Sequence, residues 1–161
     1  MKLEVIKVGN GSEDYPGNFT KKELQIIKYA SKGRVLNLFS GKCGFGNERI
    51  DFSSKEATKN MDVFEYIKFC HYYDTIIIDA PYNQRFADKY KKIGNTPKQF
   101  IIFADTKKTT YLFDQIYKWN PKVIILKSWN YYIPRGYKLK KGYLCYPGGY
   151  RKSTLLLIFV K

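Results

Sequence analysis

The stretch Thr75-Ile76-Ile77-Ile78 most constrains how this chain folds. Consecutive β-branched residues without polar alternation favour a buried strand, and the run is too short for a buried helix. It stops at Asp79-Ala80-Pro81-Tyr82, an acid, a proline and an aromatic ring in succession. A second apolar strand, residues 34–39, lies some 40 residues upstream. It runs into Ser40-Gly41-Lys42-Cys43-Gly44-Phe45-Gly46, a glycine-rich turn that a ligand can approach at the backbone.

The rest of the chain falls into place around these two strands. Residues 1–18 are punctuated by Gly, Asn and Pro and read as an extended lead-in. Thr20-Lys21-Lys22-Glu23 is a capping box that opens a helix. Leu24, Ile27 and Ala30 give that helix an apolar stripe, and Gly33 closes it. Residues 48–52 form a second short strand, and 60–62 a third that leads into a helix at about 63–72. After strand 75–78, Thr96-Pro97 opens a helical region that ends before Asn120-Pro121. Val123-Ile124-Ile125-Leu126 is a fifth buried strand. Residues 137–146 and 153–160 make an antiparallel hairpin around Pro147-Gly148-Gly149.

Strands alternating with helices predict an α/β fold in a single domain spanning 1–161. Its sheet is mostly parallel and doubly wound, with helices on both faces and an antiparallel hairpin at the end. Ligands bind such sheets outside the carboxyl ends of the strands. The glycine turn, Asp51, Asp62 and Asp79 all fall on that edge. An acid, a proline and a ring at such an edge can hold a flat, amine-bearing ring. With a cofactor turn beside them, they point to an enzyme that modifies a base.

The net charge of +15 is unevenly spread. Residues 1–80 hold 12 Lys or Arg against 11 Asp or Glu, whereas 81–161 hold 17 against 3 and 10 of the 15 tyrosines. Basic residues neutralise phosphates and aromatic rings stack on unpaired bases, so the second half favours a nucleic-acid partner. The basic candidates are Arg85, Lys89, Lys91 and Lys92 after the acid corner, and Arg135, Lys138, Lys140, Lys141, Arg151 and Lys152 around the hairpin. Trp129, Tyr131 and Tyr132 follow the fifth strand, where they either stack on neighbouring bases or cover the sheet end. Cys43, Cys70 and Cys145 have no metal-ligand spacing and fit a reduced, cytoplasmic protein. No metal is expected, and His71, among aromatics, reads as packing. No apolar run is long enough to span a bilayer, so no membrane partner is expected.

These residues resemble the S-adenosylmethionine-dependent amino-methyltransferases that act on nucleic-acid bases. Residues 36–44 are similar to that family's cofactor motif, with Asn37 where an acid is usual and Cys43 where the second glycine is usual. Asp79-Ala80-Pro81-Tyr82 is similar to its catalytic motif of acid or asparagine, proline, proline and aromatic, with Ala80 in place of the first proline. Phe19-Thr20 resembles the segment that closes over the methionine end in the adenine-modifying branch, and Asp62-Val63-Phe64 the segment near the cofactor's adenine. The resemblance implies a Rossmann-like methyltransferase fold and S-adenosylmethionine as cofactor. It implies that Phe19, Thr20, Asn37, Phe39, Ser40, Gly41, Gly44, Asp51, Asp62 and Val63 line the cofactor site, although Asp51 and Asp62 read equally well as helix caps.

The implied chemistry is methyl transfer to an exocyclic amine, in which an enzyme chiefly positions and polarises. Asp79 accepts a hydrogen bond from the amine, the carbonyl beside Pro81 accepts the second hydrogen, and Tyr82 stacks on the extruded base. The expected substrate is a DNA base, adenine before cytosine, with RNA as the close rival. A degenerate nucleic-acid binder with the same fold is the second class, favoured by the three departures and opposed by the intact Asp79, Pro81 and Tyr82. The short span after Tyr82 leaves no room for a target-recognition domain, so specificity comes from loops or from a second subunit, as in a homodimer, or is slight.

Overall fold

The computed structural model describes residues 3–9, 18–69, 71–81, 106–148 and 152–161. Eight strands form one sheet in the order β1-β7-β8-β6-β5-β2-β3-β4. They are β1 (Glu4–Lys7), β2 (Val35–Leu38), β3 (Glu48–Asp51), β4 (Lys59–Asn60), β5 (Thr75–Ile78), β6 (Val123–Ser128), β7 (Lys138–Tyr146) and β8 (Thr154–Val160). The described helices are α1 (Lys21–Ala30), α2 (Val63–Tyr66) and α3 (Thr106–Trp119). Every neighbouring pair is parallel except those made by β8, which runs antiparallel to both β6 and β7. The mostly parallel sheet and its antiparallel hairpin therefore stand as expected.

β2 and β5 are buried along their whole length, because both faces of the sheet are covered. Leu36, Leu38, Ile76, Ile78, Ile124 and Leu126 pack with Tyr66 of α2 and with Leu112, Phe113 and Ile116 of α3. Val35, Ile77, Val123 and Ile125 point the other way and pack with Ile27 of α1. Full burial of each such side chain contributes about 1.5–3 kcal/mol, so a polar residue in these strands needs a reason to be there.

Three local expectations change. The lead-in contains β1, which adds to the hairpin edge beside β7; its Glu4, Val5 and Lys7 are exposed and only Ile6 is buried. α1 begins with the predicted capping box, but it stops at Ala30, with Ser31 as its cap, before Gly33 is reached. α2 is one turn and not the helix expected to residue 72. Tyr66 and Tyr73 turn their hydroxyls toward each other at 2.8 Å, and the chain must already be turning back toward Thr75. β2 and β3 are joined by residues 39–47 without a helix, although they are parallel neighbours. α3 ends as expected, with Asn120 at φ +60 ahead of Pro121. Thr96-Pro97 lies outside the described residues. No helix among the described residues is long and apolar enough to cross a membrane.

Candidate active site

Parallel register brings the two singled-out strand ends together. Leu38 pairs with Ile78, so the glycine turn and Asp79 leave neighbouring strands at the same carboxyl edge. β3 ends at Asp51 and β4 leads to Asp62 on that edge too.

The turn is held by its neighbours and not by a following helix. Ser40 N–H donates to the Ile50 carbonyl at 3.0 Å, and Gly41 N–H donates to Asp51 Oδ2 at 2.9 Å. Ser54 Oγ donates to the Gly41 carbonyl at 2.5 Å. The other Asp51 oxygen accepts from the N–H groups of Ser53 and Ser54, at 3.1 and 3.0 Å. Asp51 is thus an organiser of the turn. Further along, Asn37 Nδ2 donates to the Phe45 carbonyl at 3.1 Å and folds the turn back over β2.

Backbone conformation identifies which turn positions matter. Gly41 has φ +51 and Gly46 has φ +127, where a Cβ would meet Glu48 O and Asn37 Cβ at 3.2 and 3.3 Å. Gly44 has no such backbone, and a Cβ there would meet nothing within 4 Å. The conformational freedom that only glycine supplies is thus used at Gly41 and Gly46, and Gly44 leaves open space. Phe39 sits at φ +59, a costly conformation for a bulky residue and one that clusters at ligand sites. Two buried polar atoms on this edge, Asn37 Oδ1 and Ser40 Oγ, have no hydrogen-bond partner. Buried acceptors are rarely left so, and a ligand that donates hydrogen bonds is one reason to leave them.

Asp79 is buried at the end of β5, with Ala80 and Pro81 buried after it. Its neighbour on β6 is Lys127, since Ile78 pairs with Leu126. Lys127 is only 6 % exposed. Its ammonium lies 3.2 Å from Glu23 Oε2 and 3.4 Å from the Asn18 carbonyl, and 5.0 Å from the centre of the Phe19 ring. Burial alone would depress this ammonium, but the charges of Asp79 and Glu23 overcome it and raise the group above the usual lysine value. Glu23 also accepts from Thr20 N–H at 2.7 Å, so the capping box doubles as an ion-pair anchor. Phe19 and Thr20 are thereby fixed at the edge that holds Asp79. Lys127 was absent from the sequence-based candidates; a lysine that ends an apolar strand just before Ser128-Trp129 is the signal that could have found it.

The remaining candidates divide. Asp62 caps α2 through Phe64 N–H at 2.8 Å, and burial raises its carboxyl above the usual range; Val63 is buried behind it. Trp129 stays at the carboxyl edge with the Lys152 ammonium 5.0 Å from its ring centre. Tyr132 instead stacks on Phe113, with ring centres 4.4 Å apart, and covers the sheet. Lys138 and Lys141 occupy the other half of β7, level with Val123 and Ile125, and Lys140 lies in the bulge between Leu139 and Lys141. Lys138 is thus roughly 13 Å below Asp79 along the strands. Arg135 stacks on Tyr117 near the end of α3, and Tyr131 lines a groove with Tyr137 and residues 138–142. These basic residues do not share the edge of Asp79. Tyr82, Arg85, Lys89, Lys91, Lys92 and Arg151 lie outside the described residues. His71 packs flat on Tyr66, with ring centres 4.2 Å apart.

No family model and no curated protein matches the chain. Among solved structures it is similar to the tRNA (uracil-54, C5)-methyltransferase of Pyrococcus abyssi in complex with S-adenosyl-L-homocysteine, with 14% identity and a TM-score of 0.51. The likeness covers 92% of this chain and 40% of that one, so the chain spans less than half the length of that enzyme. At this identity the likeness is one of fold.

Proposed function

We propose that this chain is a methyltransferase with a Rossmann-like sheet, which moves a methyl group from S-adenosylmethionine to the exocyclic amine of a nucleic-acid base. The observation that carries the reading is the pairing of β2 with β5, which sets the strained glycine turn beside the Asp79-Ala80-Pro81 corner. The solved neighbour is a methyltransferase in complex with S-adenosyl-L-homocysteine, which supports the cofactor. The orphaned Asn37 Oδ1 and Ser40 Oγ and the open space over Gly44 fit a bound polar group. Gly41, Phe39 and Asp62-Val63 would border it on one side and Phe19-Thr20 on the other. When bound, that cofactor supplies an electrophilic methyl group.

The chain's own residues supply position and polarity. Asp79 accepts a hydrogen bond from the amine and makes its nitrogen more tetrahedral. The carbonyl beside Pro81 accepts the second hydrogen, and Tyr82 stacks on the base. Asp79 need not be a strong base, because the amine proton becomes acidic only after transfer. Modification of a pyrimidine carbon calls for a nucleophile that first adds to the ring. Among the described cysteines, burial pushes up the Cys43 thiol, and the Cys145 thiol to about 12, so neither is a ready thiolate. On the described residues, with Cys70 lying outside them, an amine target suits this site better than a ring carbon.

DNA adenine is the first substrate we propose. RNA is the second, favoured by the solved neighbour, whose substrate is a tRNA. Transfer of labelled methyl to duplex DNA, single-stranded DNA and RNA in parallel tests both, with the product nucleoside identified by mass. Label on an exocyclic amine is the expected result. Label on a ring carbon, or none despite binding of S-adenosyl-L-homocysteine, overturns the amine reading.

A further inference from the structure

We propose that Lys127 is a positioning residue, which holds the Asp79 carboxylate in place and, through Glu23, joins it to the Asn18–Thr20 segment. The inference rests on the reading of Asp79 as the group that meets the substrate amine.

The placement follows from register and burial. Asp79 and Lys127 are the next residues after the paired Ile78 and Leu126, so both face the α1 side of the sheet. An ammonium has three donors. Two are engaged by Asn18 and Glu23, and the remaining one is available to its strand neighbour, Asp79. Among the described residues, the charged and titratable groups around this point are Glu23 from α1, Asp79 from β5, Cys43 from the turn after β2, Cys145 from β7 and, acting on Cys43, Arg49 from β3. Lys127 is the cation in contact with Glu23. Burying ions here is expensive, and replacing the whole set of buried charges by well-packed apolar residues of similar volume is often neutral or stabilising. A fold that needed only packing would be served by such an apolar set. A site that needs a fixed, ionised acceptor and a fixed lead-in segment is served by a buried ammonium between two carboxylates. Because neighbouring charges raise its own proton affinity, Lys127 acts as a fixed charge and not as a base.

The test uses the full chain with selectively ¹³C-carboxyl-labelled aspartate, so that Asp79 can be titrated by NMR without substrate. In Lys127→Met the Asp79 titration moves to higher pH, because the adjacent cation is gone. The acid limb of the kcat profile moves with it, kcat falls about a hundredfold, and KM for nucleic acid stays near the parent value. Lys127→Arg restores part of both. Glu23→Gln gives the opposite sign: with one competing anion removed, Asp79 titrates lower. This second variant decides the matter if Lys127→Met does not fold. An Asp79 titration unmoved in either folded variant overturns the proposal. If the parent protein transfers no methyl to any nucleic acid, the titrations still decide the role of Lys127, and only the functional reading falls.

Discussion

The two edges of the sheet each hold an ionic cluster around a buried carboxylate, and they are built to different standards. At the amino edge, Glu48 Oε1 lies 2.5 Å from the Lys59 ammonium and Oε2 lies 3.6 Å from the Arg34 guanidinium, while the Tyr73 hydroxyl donates to the same carboxylate. Tyr66 completes the chain of hydroxyls at 2.8 Å. Glu48 Oε1 has that ion-pair contact but no hydrogen bond, whereas its other oxygen and the two hydroxyls are engaged within the protein. At the carboxyl edge, Asn37 Oδ1 and Ser40 Oγ have no hydrogen-bond partner, Phe39 is strained, and a lysine is buried between two acids. A cluster closed on itself stabilises the fold. One left open and strained is prepared for something the protein itself does not provide.

Substitutions should separate the edges, and the largest effect is expected at Asp79. Asp79→Ala should lower methyl transfer by about 10²–10³-fold while S-adenosyl-L-homocysteine binding stays nearly intact, as isothermal titration would record. Retained activity breaks the contrast outright. Lys127→Met should next cost about 3–5 kcal/mol of stability in urea unfolding, because Glu23 is left buried and uncompensated. Ser40→Ala should do the reverse of an ordinary buried substitution. It removes an atom with no protein partner, so stability should hold, whereas cofactor affinity should fall about tenfold, or ~1.4 kcal/mol.

Smaller effects test where nucleic acid lies. Lys152→Glu, beside Trp129 at the carboxyl edge, should weaken binding and reduce the salt slope by about one. Lys138→Glu, at the amino edge, should leave the slope unchanged. Equal slopes for the two variants would mean a footprint that wraps both edges. Glu48→Gln should affect stability alone. Burial would raise the Glu48 carboxyl, but Lys59 and Tyr73 overcome it and hold the group below its ordinary value of 4.5. A lowered carboxyl adds stability above that value, which is lost as pH falls through the folded-state pKa. Thermal unfolding of the parent should therefore drop more steeply below pH 4.5 than that of Glu48→Gln, with methyl transfer at neutral pH the same in both.

The parts of this molecule legible from sequence are those set by local pattern. The triple isoleucine, the capping box at Thr20 and the Asn120-Pro121 stop each carry their own physical cause within a few residues, and each appears where expected. β1 was illegible because an edge strand with one buried residue has no hydrophobic pattern to display. Lys127 was illegible for a different reason. Its partners, Glu23 and Asn18, are more than 100 residues away in the chain, and nothing local marks the lysine as buried. The same holds for Asp51, whose place at a strand end was foreseen but whose bond to Gly41 depends on how the turn closes.

That bond also ties the shape of the site to the pairing of two strands. With no helix after β2, the turn has no local element to template it, and its shape is dictated by a carboxylate on β3. The turn therefore holds this shape only while β2 and β3 are paired. The Gly41 amide should exchange with solvent deuterium only in openings that part those strands, and a ligand bound to the turn should slow that exchange in proportion to its occupancy.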